Sequence, residues 1–265
     1  MNKTEILNRL SSSDEERLLF ARLLDKLTLT GTRDIPCHTD FLSPKERALA
    51  EKCINACGRP EHLFYGGWDE AERTICVFLP RWQSAGAWLE SGNSPLRALR
   101  CFWPKETELT HRDFLGSVLG LGIEREKVGD ILVGSGQCDI IVLEDISEFL
   151  RFNLLKAGRA HLRLEEISIN ELQPPQKRIK IIKDTVPSLR LDAVAASGFS
   201  LSRARASELI SSGRVQLNHI ECVKPDRTVS QGDTVSCRGC GKFVLKQAGG
   251  TSKKGRIIIE IERYV

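Results

Sequence analysis

The stretch LRLDAVAASGFSLSRARASELISSGRVQL, residues 189–217, decides the reading of the C-terminal part of this chain. Leu189, Leu191, Val194 and Ala195 form an apolar stripe that ends at Gly198, and Ser200 or Ser202 caps a second helix. Ala206, Leu209 and Ile210 give that helix its inner face, and Gly213 stops it. Val215 to Leu217, a turn at Asn218-His219, Thr228-Val229, a turn at Gln231 to Asp233, and Thr234 to Ser236 follow as short strands. A helical pair backed by a small sheet is the expected local fold.

The charge around this stretch is uneven. The 265 residues carry a net charge of +4, but residues 176–265 hold 17 Lys and Arg against 8 Asp and Glu, a balance of +9. Residues 1–175 hold 22 against 27, a balance of −5. A basic module on a mildly acidic body points to a polyanionic partner, with nucleic acid ahead of an anionic membrane surface. Arg190, Arg203, Arg205 and Arg214 gather around the helical pair, with Lys224 and Arg227 further along. Arg203 and Arg205 begin the second helix, where unpaired N–H groups and the dipole favour phosphate, and Ser202 would cap it and add a phosphate contact. None of these residues is needed for the apolar face. Lys253 and Lys254, after Gly249-Gly250 and before a strand at 257–261, read either as a merely solvated charged run or as a flexible basic loop able to close on phosphate.

Working toward the N-terminus, residues 173–187 open on Pro174-Pro175 and read as a basic linker. From 74 to 172 the order is strand (74–79), connection, strand (96–102), helix (112–121), two strands (131–133 and 140–143) around Gly134-Ser135-Gly136, helix (146–157) and a last strand. That order predicts an open sheet of ferredoxin-like or RNA-recognition-motif shape. Residues 1–73 read as helical. Ser12 and Ser13 precede Glu15 and Glu16 and a run with Leu18, Leu19, Leu23, Leu24 and Leu27, while Ser43, Pro44 and Glu46 make a capping box before Leu49, Cys53, Ile54 and Cys57. The class is α+β, with a C-terminal domain over 188–265.

Length and composition exclude other classes. A 41% hydrophobic and 28% charged composition suits a folded globular protein. No apolar run approaches the roughly 18 residues of a spanning helix, and Met1 to Leu10 is a polar helix start with no export leader, so the expectation is a cytoplasmic protein with reduced thiols and no membrane partner. Cys237-Arg238-Gly239-Cys240 supplies half of a zinc site with no second pair, and Cys53 and Cys57 share an apolar helix face. His111-Arg112-Asp113 reads as a helix start capped by Thr110, because adjacent helical positions do not face one another; His111 and Arg112 remain available as an interaction surface. GxxxxGK[ST], HExxH and GxSxG are absent from the sequence. No cofactor, metal or catalytic residue is assigned.

Residues 189–192, 202–215 and 232–233 resemble the S-four RNA-binding domain, which grips structured RNA with a helical pair. Tyr65 to Arg73 (YGGWDEAER), Thr110 to Gly116 (THRDFLG) and Leu121 to Ile131 (LGIEREKVGDI) resemble the YlmH-type bacterial proteins. At 237–242 the family's basic, glycine-rich pattern is altered by Cys240 and Lys242. The resemblance implies association with the large ribosomal subunit and a role in quality control of stalled nascent chains; together with the missing catalytic motifs, the expectation is a non-catalytic monomer that binds large-subunit rRNA and P-site tRNA, with quality-control or division proteins as further partners. Two other readings stay open: an RNA-modifying enzyme of pseudouridine synthase or methyltransferase type, and an adaptor linking RNA to a division factor.

Overall fold

Serine hydroxyls start the first long helices as their spacing predicts. Ser13 Oγ accepts from the Glu16 amide at 3.2 Å and Glu16 accepts from the Ser12 amide at 2.8 Å, opening α2 (Asp14–Arg33) after the short α1 (Lys3–Leu10). The computed structural model describes residues 3–176 and 178–264, which separate into two units, 1–175 and 176–265. Met1, Asn2, Lys177 and Val265 of the segments read above lie outside the described residues. Among the described residues no helix is long and apolar enough to cross a membrane.

In the first unit, β1 (Cys37–His38) follows α2, and Ser43, Pro44 and Glu46 form the full capping box of α3 (Pro44–Ala56). Then come β2 (His62–Tyr65) and β3 (Ile75–Phe78), which join β1 in an antiparallel sheet of order β1-β3-β2. Cys76 and Phe78 face the helices with Phe20, Leu23, Leu49 and Ile54, while Leu18, expected inside, is exposed and Phe20 fills the core instead. A division of the chain at 73/74 does not hold for β3. Its partners lie before it in sequence, and their backbone pairing outweighs the composition change at 74.

After the short α4 (Ala85–Glu90), β4 (Leu96–Phe102), α5 (His111–Gly120), β5 (Val128–Val133), β6 (Gln137–Leu143) and α6 (Glu144–Asn153) follow. A small hairpin, β7 (Lys156–Ala157) and β8 (Ala160–His161), precedes β9 (Arg163–Ile167). The sheet is β5-β6-β4-β9 with every pairing antiparallel, so the first and third strands of a β-α-β-β-α-β order are central. This is the RNA-recognition-motif topology. Helix α6 ends at 153, four residues earlier than expected, because residues 156–161 pair as a hairpin.

Both faces of that sheet are covered. Leu99, Cys101, Cys138 and Ile140 meet Phe114, Val118 and Leu150 of the two helices. On the other side Leu96, Leu132, Ile141 and Leu143 meet Phe41, Ile75, Val77, Leu79 and Trp88 from the N-terminal part of the same unit. Gly129 makes room for this packing, since a Cβ there would sit 2.7 Å from the Phe41 ring.

The second unit opens with a correction. Residues 179–186, read as linker, form β10 (Ile179–Val186), which pairs along its whole length with the last strand. The prolines end before it, and the β-branched run from Ile179 to Val186 suits a strand once a partner edge is present. Helices α7 (Leu191–Phe199) and α8 (Arg203–Ser211) follow, with Ser200 closing α7 in the left-handed region at φ 58°. Strands β11 (Val215–Leu217), β12 (Ile220–Glu221), β13 (Thr234–Cys237), β14 (Gly241–Thr251) and β15 (Ile257–Tyr264) complete a sheet of order β10-β15-β14-β13-β11-β12. Leu191, Val194, Ala206 and Ile210 pack on Val235, Phe243, Leu245 and Ile261. The helical pair is therefore backed by six strands, a larger sheet than expected. The connection that carries Lys253 and Lys254 is shorter than expected: both glycines lie in β14, and 252–256 is a tight turn in which Ser252 N–H donates to the Arg256 carbonyl at 2.8 Å.

Candidate nucleic-acid interface

The helical pair concentrates its charge around one carboxylate. Asp192, in the first turn of α7, has a side chain only 7% exposed. Arg190 donates from Nε and Nη2 to its two oxygens at 3.3 and 3.1 Å, and Arg203 donates from Nη2 to both at 3.2 and 3.1 Å. Burial alone would raise the Asp192 pKa, but the hydrogen bonds and charges of Arg190 and Arg203 outweigh it and hold the carboxyl below its ordinary value. Both guanidiniums keep an exposed side, 42% for Arg190 and 51% for Arg203. A planar guanidinium fixed on one edge retains donors on the other for phosphate.

The turn at 224–227 is docked beside them by backbone bonds. Arg190 is the N-cap of α7 and makes no side-chain cap; instead the Leu191 amide donates to the Arg227 carbonyl at 2.8 Å and the Asp192 amide to the Pro225 carbonyl at 2.9 Å. Two orphan amides of the helix start are thus satisfied by chain, not left for a ligand. Lys224 and Arg227 are exposed on this turn. Arg190, Arg203, Lys224 and Arg227 therefore share one corner of the unit.

The remaining predicted residues are placed differently. Ser202 is the N-cap of α8, its Oγ accepting from the Arg205 amide at 3.2 Å, so that hydroxyl lone pair already serves the helix. Arg205 pairs with Glu208 at 2.6 Å on the outer face. Arg214 donates to the Arg238 carbonyl at 3.2 Å, tying the end of α8 to the β13–β14 turn, where it lines an open cavity with Gly213, Gln216, Ser236 and Arg238. Lys253 and Lys254 sit on the β14–β15 turn, which Arg256 fastens to Thr185 of β10 at 3.1 Å. They belong to a second position on the unit, outside the Asp192 cluster.

Asp192 is the member that sequence reasoning missed. Its signal was present two residues after Arg190, but its second partner lies eleven residues away on another helix. Cys237 and Cys240 span a tight turn, with the Cys240 amide donating to the Cys237 carbonyl at 3.0 Å, and burial pushes the Cys237 thiol up to about 11. Among the described residues no group of three or more His, Cys, Asp or Glu side chains could hold a metal ion.

The upstream motifs fold into structural joints. Asp130 accepts from Trp68 Nε1 at 3.1 Å and from the amides of Glu72 and Arg73 at 2.9 and 3.0 Å. Arg73 in turn donates to the carbonyls of Val128, Phe41 and Arg125. This locks the 65–73 segment to β5. At the start of α5, Asp113 accepts from the Thr110 amide and hydroxyl at 2.7 Å each, as a capping residue does.

Comparison with known proteins gives the following matches. A family model described as "Putative RNA-binding domain in YlmH" matches residues 101–171, and the S4 domain model matches 189–235. Over 226 residues the chain is 33% identical to "Ribosome-associated protein quality control protein P2" of Bacillus subtilis (strain 168), covering 85% of this chain and 86% of that protein. Among solved structures, the cell division protein ylmH from Streptococcus pneumoniae is 23% identical with a TM-score of 0.49, over 61% of this chain and 96% of that one.

Proposed function

The chain belongs to the YlmH family of S4-domain proteins, and from that premise we propose that it is a non-catalytic, cytoplasmic RNA-binding protein that associates with the ribosome. The observation that carries the reading is the pair of half-exposed arginines held on buried Asp192, beside the basic turn at 224–227. Such an arrangement presents fixed donors to phosphates at a set spacing. It suits folded RNA, whose base edges are hidden in a deep narrow groove and which is recognised by shape.

The partners we propose are rRNA of the large subunit and tRNA in its P site, with Arg190, Arg203, Arg205, Arg214, Lys224 and Arg227 as contacts and Lys253 and Lys254 as a separate phosphate contact. The action is positional: tRNA held in place on a stalled large subunit supports quality control of the nascent chain. No step in it requires a bond to be made or broken by this protein. The likeness in sequence to a ribosome-associated quality-control protein supports this assignment.

Sedimentation of lysate through a sucrose gradient at several salt concentrations tests it. The native chain is expected to travel with large subunits and to be released as salt rises, whereas an Arg203→Ala, Arg205→Ala double variant stays at the top. Losing two phosphate contacts lowers the salt slope of RNA binding by about 1.5. Native protein that stays at the top at low salt refutes the ribosomal assignment.

A further inference from the structure

The RNA-recognition-motif topology of residues 96–167 poses a question of surface. That fold ordinarily presents the open face of its sheet, where aromatic side chains stack bases. Here the open face is occupied: Phe41, Ile75, Val77, Leu79 and Trp88 lie against Leu96, Leu132, Ile141 and Leu143. Further along the same face Arg100 is engaged by Asp139 at 2.7 and 2.8 Å and by the Glu171 carbonyl at 2.7 Å, and Phe102 is covered by Arg163 at 4.5 Å. Most of the usual platform is therefore taken up by the chain itself.

The opposite side carries an uncovered surface of suitable chemistry. Phe149 and Phe152, three residues apart on α6, are 44% and 63% exposed, and Leu155 just beyond the helix is 60% exposed. Residues three apart lie on one helix face. Arg151 rests over the Phe152 ring at 4.9 Å, and Lys156 and Arg159 follow on the β7–β8 hairpin, both exposed. From Phe149 to Leu164 the chain has four Lys or Arg and no Asp or Glu, inside a unit whose balance is −5. The flanking carboxylates are already engaged: Asp113, against which the hairpin packs at Gly158, caps α5, Glu148 lies 3.9 Å from Arg151, and Glu165 pairs with Arg163 at 3.4 Å, which leaves Lys156 and Arg159 as the cations of the hairpin.

We propose that this surface, Phe149, Arg151, Phe152, Leu155, Lys156 and Arg159, is a second RNA-binding site, taking unpaired nucleotides by stacking on Phe152 and by phosphate contact with the hairpin cations. Interleaved aromatic and basic side chains are the chemistry that single-stranded RNA recognises. A protein groove would be served by the apolar residues alone; the exposed hairpin cations Lys156 and Arg159 beside the aromatic rings favour RNA. The proposal rests on the RNA-binding reading above and extends it to the first unit.

Fluorescence anisotropy of the full chain with a labelled RNA hairpin bearing a single-stranded uridine tail tests it. Lys156→Glu with Arg159→Glu is expected to lower the salt slope by about 1.5. Phe152→Ala is expected to weaken binding at least about fivefold, with Phe152→Tyr restoring it. These side chains are exposed, so an unchanged melting temperature accompanies each variant. Unchanged affinity and slope in both sets overturn the proposal. Arg203→Glu with Arg205→Glu, measured in parallel, separates the two readings: an effect of that variant alone leaves the helical-pair site standing and removes this one, and the reverse result removes the helical-pair site and keeps this one. Loss of ribosome co-sedimentation by Phe149→Ala, Phe152→Ala with RNA affinity unchanged assigns the surface to a protein partner and likewise overturns it.

Discussion

Asp192 Oδ2 lies 3.1 Å from Nη2 of Arg203 and 3.1 Å from Nη2 of Arg190, so one buried carboxylate sets the direction of two guanidiniums from different elements. The carboxylate adds negative charge to a surface proposed to meet phosphate. Its contribution is therefore orientation, and orientation and charge separate in experiment.

Asp192→Asn keeps both arginines but loses the charge that aligns them. Affinity for structured RNA is expected to fall several-fold, while the salt slope stays at least as large as in the native chain, since no cation has been removed. Arg203→Ala instead lowers affinity and slope together. Filter binding of one folded RNA across a salt series distinguishes the two patterns.

The same pair has a pH signature. The Asp192 carboxyl is held below its ordinary value in the folded chain, so its stabilisation is complete above the unfolded-state pKa and is lost as pH falls through the folded one. Denaturant midpoints of the native chain should fall below about pH 4. Asp192→Asn is expected to show a shallower fall over that window and a lower unfolding free energy at pH 7, by roughly 1.5–3 kcal/mol for bonds to a charged group.

Two glycines should respond to alanine with opposite signs. At Gly198 in α7 a Cβ would lie 2.3 Å from the ring of Phe243, which is fully buried and tilted against Phe199 at 4.9 Å between centroids. Gly198→Ala is expected to destabilise by about 1–3 kcal/mol through overpacking. Gly116 lies within α5 with nothing within 4 Å of such a Cβ, so Gly116→Ala is expected to stabilise by about 0.5–1 kcal/mol. Thermal melts of the two variants test the contrast.

How far the fold was legible depended on how local its cause is. The Ser43, Pro44, Glu46 box and the strand at 96–102 were read directly, because caps and β-rich runs act within a few residues. Asn218 and His219, both at positive φ of 50° and 66°, form the hairpin turn their types suit. Strand β10 was hidden because its partner β15 is some 80 residues away and its flank is proline-rich and basic. The occupied sheet face was hidden for the same reason: Phe41 and Trp88 carry no mark of which strands they will cover. At the candidate interface the arginines were visible as charge, whereas the Asp192 contact that orders them depends on where α8 crosses α7.

Thiol chemistry offers a check on the second unit. Cys237 is 4% exposed, and burial raises its pKa to about 11, which leaves little thiolate at neutral pH. Cys222, in the turn after β12, is partly exposed. Brief iodoacetamide treatment of the native chain at pH 7.5, read by mass spectrometry, should label Cys222 well before Cys237. Denaturant is expected to abolish the difference.

Asp139 holds several parts of the first unit together. Its side chain is 1% exposed, and both oxygens are occupied by Arg100, itself 11% exposed, while Oδ2 also accepts from the Gln173 amide at 2.8 Å. The carboxylate thus joins β4 to β6 and fastens the segment leaving β9 across them. Asp139→Ala strands a nearly buried guanidinium and an amide, a change that costs about 3–5 kcal/mol where a buried pair is broken on one side. Replacing both partners, as in Arg100→Met with Asp139→Leu, removes the charges together and should recover much of that loss. Urea unfolding of the native chain and the two variants tests this; a double variant no more stable than Asp139→Ala would show that the bonds to the Gln173 amide and the Glu171 carbonyl, and not the ion pair, carry the effect.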